Sequence, residues 1–197
     1  MIAAAVRQAA ALLLDYPGPG WPRTLTHVRD ALGGLDDPRC APVLRFCAAV
    51  ADDDPRAAEE RYVLTFDRDR RRTLHMTYYS DGDTRRRGAA LVRLKDVYRR
   101  EGWRPSGGEL PDHLPVMLEF AARCPEPGER LLRAHRPGLD LLRLALHDRR
   151  SPYAALLDAV CATLPGPTPA DRAAVAELAR SGPVIELVGL DGYGETP

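Results

Sequence analysis

The sequence predicts an all-α fold, a single-domain bundle of roughly eight to ten short helices. Two observations carry that prediction. Apolar residues recur every three or four positions along most of the chain, the period of one helix face. Many of the 18 prolines stand at the first turn of a helical segment or just past its end, where a missing N–H is tolerated. Neither β-α alternation nor an internal repeat is present, so a strand-based nucleotide platform is not expected.

The elements follow in order. Ile2, Val6, Ala9 and Leu13 share one face of a first helix, which YPGPGWP at 16–22 ends with its prolines and glycines. A second helix runs from about Pro22 to Gly33, with Leu25, Val28 and Leu32 on one side, and a third carries Val43, Phe46, Cys47 and Val50. Asp54 and Pro55 read as a cap and a first-turn proline, opening a fourth helix whose stripe is Ala58, Tyr62, Thr65 and Phe66. Residues 67–83 break the period. LHMTYY within them alternates as a strand would, but no partner strand is offered nearby, so an ordered loop or short helical turn is expected.

Asp83 is placed to cap a long helix from Thr84 to Glu101, which Gly102 ends. ELPDHLP, residues 109–115, opens the next. Leu131, Leu132, Leu139, Leu142 and Leu146 mark a helical region interrupted at Pro137 and Gly138. Ser151 and Pro152 cap a helix carrying Tyr153, Leu156, Leu157 and Val160; Thr168 and Pro169 cap the last, through Arg180. The helical domain is expected to span 1–181. Residues 182–197 form a tail, docked or partly disordered, whose apolar VIELVGL is expected to lie in extended form across the helical body.

Composition narrows the function. With 28 basic and 28 acidic residues the molecule as a whole offers no field for nucleic acid or an anionic membrane. Residues 61–104 hold 13 basic and 6 acidic side chains, yet no reading motif accompanies them and the acidic remainder would repel a phosphate backbone. Of the basic residues only Lys95 is a lysine, a codon-level bias rather than 27 separate guanidinium roles. Cys40, Cys47, Cys124 and Cys161 lack CxxC or CxH spacing, which excludes a zinc knuckle and leaves free thiols acting as small apolar residues. No stretch approaches the ~20 apolar residues of a membrane span, and Arg7 and Gln8 interrupt the only signal-like segment. A reduced, cytoplasmic protein without direct membrane insertion is the expectation.

The stretch GELPDHLPVMLEF, 108–120, gathers Glu109, Asp112 and His113 between prolines. His113 has no second ligand until Glu119, six positions on, which is the wrong helical phase for a metal. Glu109 and Asp112 could share a face as an acid/base pair, but acids at a helix start already have a simpler role against the dipole, about 0.3 to 1 kcal/mol each. Pro111 and Pro115 stiffen the turn. Leu110, Leu114 and Leu118 are expected to anchor it to the core while Asp112 and His113 point outward, an arrangement suited to recognition.

SDGDTRRRG, 80–88, sets Asp81 and Asp83 before Arg85, Arg86 and Arg87. Three cations at a helix N-terminus oppose the dipole, so either they are solvated or acids of this motif and of ELPDHLP pair with them, joining the two motifs into one surface. Tyr62, Tyr78, Tyr79, Trp103 and Phe120 could line a peptide groove, though core packing is the ordinary role in a chain with so few aromatics. His75 and His135 sit among apolar residues and are read as core or boundary histidines.

YVLTFD (62–67), LHMTYYSDGDTRRRGAAL (74–91) and ELPDHLPVMLEF (109–120) occur in this order, and together they resemble the molybdenum-cofactor assembly chaperones of respiratory nitrate reductase, the nitrate reductase delta subunit or NarJ family. That family belongs to the TorD-like redox-enzyme maturation chaperones. The resemblance implies a helical chaperone without enzymatic activity, resident cofactor or metal. Its implied partner is the apo catalytic (alpha) subunit of nitrate reductase, including its N-terminal peptide, held until the molybdenum cofactor is inserted. Contact with that cofactor would be indirect, and a homodimer is compatible with the sequence. The client-binding surface is then expected from Asp83, Arg85, Arg86, Arg87, Glu109, Leu110, Pro111, Asp112, His113, Leu114, Pro115, Glu119 and Phe120. The competing class is a small-ligand or phosphoester enzyme using Glu109, Asp112 and His113 with Arg85–Arg87.

Overall fold

The computed structural model describes residues 1–105 and 107–182, and within them the chain folds into eleven α-helices with no strand. Helix α1 (Ile2–Leu13) lies at the centre, against α7 (Leu114–Arg123) and α10 (Ala154–Ala162). Its alanine-rich surface lets neighbours approach closely: Val6, Ala10 and Leu13 are fully buried, as are Leu114, Met117 and Leu118 of α7 and Leu156 and Leu157 of α10. Helices α2 (Trp21–Gly33) and α3 (Ala41–Ala49) flank this centre, with Trp21, Phe46 and Tyr153 in edge and tilted ring contacts.

Arg7, which interrupts the apolar start of the chain, is 2% exposed. Its guanidinium donates to the Thr163 hydroxyl (3.1 Å) and carbonyl (3.0 Å) and to the Ala121 carbonyl (3.4 Å), and pairs with Glu129 at 3.5 Å. These bonds tie α1 to the ends of α7 and α10. A buried guanidinium persists only when its donors are filled in this way.

Helix α4 (Pro55–Tyr62) begins where the sequence predicts, the Asp54 carboxylate accepting from the Arg56 N–H at 2.9 Å. It then widens into a π-helical turn, Val63–Asp67, which brings Phe66 inward beside Tyr62 and Tyr153. A 3-10 turn, Arg70–Arg72, follows. LHMTYY takes the short helical form, one of the two expected: His75 makes an isolated antiparallel bridge with His113, and the chain turns directly into a six-residue helix, α5 (Met76–Asp81).

Helix α6 (Arg85–Arg100) has Thr84 rather than Asp83 at its N-cap. Helices α8 (Pro125–Ala134) and α9 (Arg136–Asp148) are separate, broken at His135, while Pro137 sits harmlessly in the first turn of α9. The turn at Ser151 and Pro152 leads into α10 at Ala154, so Ser151 contributes its carbonyl, not its hydroxyl, to the start of that helix. Helix α11 (Pro169–Ser181) carries a capping box between Thr168 and Asp171. The tail VIELVGL lies outside the described residues.

Gly128 shows why α7 and α8 can pack so closely. A Cβ there would stand 2.2 Å from the Ala121 Cα, so only glycine permits this approach. Cys40, Cys47 and Cys161 are buried free thiols and Cys124 is half-buried; Cys40 is the N-cap of α3 and Cys47 lies within it.

Candidate functional site

ELPDHLP opens a helix as expected, but only with its last residues: His113 is the N-cap of α7 and Pro115 lies in its first turn. Helix α7 begins only at Leu114, and residues 110–113 form a turn closed by the His113 N–H donating to the Leu110 carbonyl at 3.0 Å. The turn is stitched to the LHMTYY segment from both sides: the Met76 N–H donates to the Asp112 carbonyl (2.9 Å), and the Leu114 N–H to the Leu74 carbonyl (2.8 Å). The Tyr98 hydroxyl, reaching across from α6, donates to the Pro111 carbonyl at 2.6 Å. Two segments separated by some 35 residues thus hold one another rigid.

The geometry overturns one expectation. Asp112 does not point outward; it is fully buried, and His113 is 8% exposed. One Asp112 oxygen accepts from His75 Nδ1 at 3.1 Å. The other accepts from the Thr77 hydroxyl at 2.5 Å, the Thr77 N–H at 3.3 Å and Arg87 Nη2 at 3.4 Å. Thr77 lies in the first turn of α5, so Asp112 caps that helix from a distant part of the chain, and not α7 as its position in sequence suggests. The helical phase that placed Leu110 in the core and Asp112 outside fails because these residues are not helical; Leu110 is 41% exposed, whereas Leu114 and Leu118 are fully buried as expected.

Electrostatics agree with this role. Burial by itself would raise the Asp112 carboxyl, but the hydrogen bonds from His75 and Thr77 and the charges of His75 and Arg87 outweigh it and hold the group down at about 2. The carboxylate is therefore ionised at neutral and mildly acidic pH and its lone pairs are in use. His113 is pushed below its ordinary range, chiefly by burial and then by the nearby His75 charge, with Glu109 acting in the opposite direction. Its Nδ1 is buried without a hydrogen-bond partner, and the Glu109 carboxylate stands 3.8 Å away. Glu109 faces solvent while Asp112 is sealed, so the two do not share a face and make no acid/base pair. Among the described residues no three His, Cys, Asp or Glu side chains gather as a cation would need.

Of the arginines, Arg87 reaches Asp112 and so joins the two motifs as one of the readings held; Arg86 is exposed, and Asp83 pairs instead with Arg70 at 3.6 Å. Arg70, Thr73, His75, Tyr78, Asp83 and Arg87 line a small polar cavity of about 200 Å³. His75 and Arg87 therefore belong at once to the Asp112 cluster and to an open recess. Pro111, Leu114, Pro115 and Phe120 are buried; Phe120 packs its ring on Tyr98 and Trp103, and Glu119 pairs with Arg123 on α7 at 3.1 Å. The accessible part of the motif is Glu109 and Leu110.

Sequence reasoning missed His75, Thr77 and Tyr98 as the supports of ELPDHLP. The run of His75 and Thr77 beside an unassigned break in periodicity was the available signal; the bridge that brings them to Asp112 has no local signature.

Residues 32–159 match the family described as nitrate reductase delta subunit. The chain is 41% identical over 159 residues to the nitrate reductase-like protein NarX of Mycobacterium tuberculosis, covering 80% of this chain but 24% of that much longer relative. It is 33% identical over 158 residues to a Bacillus subtilis protein named as nitrate reductase molybdenum cofactor assembly chaperone NarJ, covering 79% of this chain and 86% of the relative. The Escherichia coli K12 protein of that name is 39% identical over 106 residues, 53% of this chain and 45% of the relative. The fold matches a crystal structure from Archaeoglobus fulgidus, described as a redox enzyme maturation protein, with a TM-score of 0.61 at 19% identity over 80% of this chain and 90% of that one. The all-helical bundle agrees with these matches, and the chain belongs to the nitrate reductase delta subunit family.

Proposed function

We propose that the protein is a non-catalytic assembly chaperone for nitrate reductase, binding the apo catalytic subunit, including its N-terminal peptide, until the molybdenum cofactor is in place. The cofactor itself is not held, and contact with it passes through the client. Membership of the delta subunit family and the naming of the Bacillus and Escherichia relatives as nitrate reductase assembly chaperones support this reading. The observation that carries it to a surface is the turn at ELPDHLP. Asp112 is spent on rigidity, and what that rigidity presents is Glu109 and Leu110, an acid beside an apolar anchor, close to the recess lined by His75 and Arg87. A stiff turn bearing these groups complements an amphipathic, basic peptide, because little ordering entropy is lost on the chaperone's side.

The enzyme reading has no such support: its proposed base, Asp112, is buried, ionised and fully engaged. The test is isothermal titration of the wild-type protein and of Glu109→Lys and Leu110→Ser with a synthetic peptide of the catalytic subunit's N-terminus. Both side chains are exposed, so the variants should melt as wild type does while affinity falls about tenfold or more, and wild-type binding should weaken as salt rises. Unchanged affinity in both variants would remove the turn from the client surface.

A further inference from the structure

We propose that the groove between α4 with its π-helical turn and the α9–α10 connection is an interaction site, separate from the ELPDHLP surface, that takes an acidic peptide segment carrying an apolar anchor. The groove encloses about 410 Å³ and is lined by Leu64, Thr65 and Ala57 on one wall and Arg149, Arg150, Ser151 and Pro152 on the other, with Arg61, Arg72 and Glu60 at its margins. Its charges are not equivalent. Arg61 is paired with Asp53, and Arg72 with Asp69 and the carbonyls of Leu64 and Thr65. Arg149 and Arg150 are exposed, and no carboxylate among the described residues pairs with either. The groove therefore offers two uncommitted guanidinium groups against a single acid, Glu60.

Two independent observations point to a ligand. The Ser151 hydroxyl, in the groove wall, is buried with no hydrogen-bond partner, a donor and acceptor left over by the fold. Arg150 adopts φ +50° at the position after the end of α9, where its N–H bonds to the His147 carbonyl (2.8 Å) and the Ser151 N–H to the Leu146 carbonyl (3.0 Å). This is the helix-ending motif that ordinarily takes glycine. A cation near a helix C-terminus is favourable in itself, but Arg149, one residue earlier, already supplies one without strain. Keeping a second arginine at the strained position gains nothing for α9 alone.

The apolar side argues for a peptide over a small anion. Leu64, two positions from the buried Tyr62 and Phe66, is 46% exposed and lines the groove together with Pro152. A carboxylate side chain would seat on Arg149 and Arg150, rotation of the Ser151 side chain out of the wall would let its unsatisfied hydroxyl donate to it, and a neighbouring leucine-sized side chain would cover Leu64 and Pro152.

Fluorescence anisotropy tests this, with a labelled helical peptide bearing Glu and Leu at i, i+4 spacing, its Lys-for-Glu counterpart, and inorganic phosphate as competitor. The acidic peptide should bind and the basic one should not compete for this groove. Arg149→Glu with Arg150→Glu should weaken binding at least tenfold. Arg93→Glu with Arg100→Glu, the same charge change on exposed α6 positions, should leave it within twofold. Leu64→Ser, with all charges intact, should weaken binding about threefold or more. Arg150→Gly should lower affinity yet melt about 2 to 4 °C higher, since it releases the positive φ. Failure of the acidic peptide to bind, equal loss in the control pair, no effect of Leu64→Ser, or complete displacement by millimolar phosphate would each overturn the proposal.

Discussion

At the scale of single residues, Asp112 shows how a motif that reads as recognition chemistry can be structural at its centre. Its carboxylate accepts four bonds from His75, Thr77 and Arg87 while lying out of contact with water. Removing it strands an amide, a hydroxyl and a cation together, so Asp112→Ala should cost on the order of 3 kcal/mol in denaturant unfolding. The pH dependence has a definite sign. A carboxyl held at about 2 against an ordinary 3.8 contributes stability that is present above about pH 4 and lost as pH falls through about 2. That difference amounts to roughly 2 to 3 kcal/mol. Wild-type thermal melts should therefore fall more steeply across that window than those of Asp112→Asn. Parallel curves would mean that the carboxylate charge does not contribute.

At the scale of elements, the helices other than the sixteen-residue α6 are held by close approach and by long-range caps more than by their own length, since segments of six to thirteen residues are marginal alone. The contact between α7 and α8 is the tightest case. Gly128→Ala would ordinarily gain about 1 kcal/mol of helix propensity. Here the added methyl meets backbone at 2.2 Å, so α8 must move, and overpacking of this kind costs about 1 to 3 kcal/mol. The clash should win, and chemical denaturation should show a net loss. A stabilised Gly128→Ala variant would mean that the two helices have room to separate. Helix α5 is the opposite case: six residues long, it exists because Asp112 caps it and Tyr79 bonds the Arg71 and Thr73 carbonyls at 3.0 and 3.1 Å.

For the whole molecule, the balance of 28 basic and 28 acidic residues hides an internal division of labour. Some arginines are structural, as Arg7 is at the centre and as Arg136 is with Asp140 (2.9 Å) and the Pro165 carbonyl (2.8 Å). Others, such as Arg149 and Arg150, are left for solvent or partners. Two buried histidines give the molecule a pH response near neutrality. His113 and His135 are both pushed down, mainly by burial, so the fold favours their neutral rings while the unfolded chain takes up protons near pH 6.5. Stability should be full above that value and decline as pH drops below it, and His113→Gln should flatten part of the decline. Melts recorded from pH 7.5 to 5.5 that show no slope would contradict this assignment.

Much of the architecture was legible in one dimension. The period of apolar residues, Asp54 before Pro55, Thr168 before Pro169 and the break at 67–83 located most helices, because helix formation and capping are decided within a few neighbours. The three motifs pointed to the right family and to the segments that meet. What they do when they meet was decided only by tertiary structure. Leu110 and Asp112 exchanged their expected places because ELPDHLP is bridged to LHMTYY instead of winding as a helix, and a bridge between residues 75 and 113 leaves no periodic trace. The burial of Arg7 was hidden for the same reason. Whether a side chain is covered depends on partners distant in sequence, while local pattern records only what each segment would do alone.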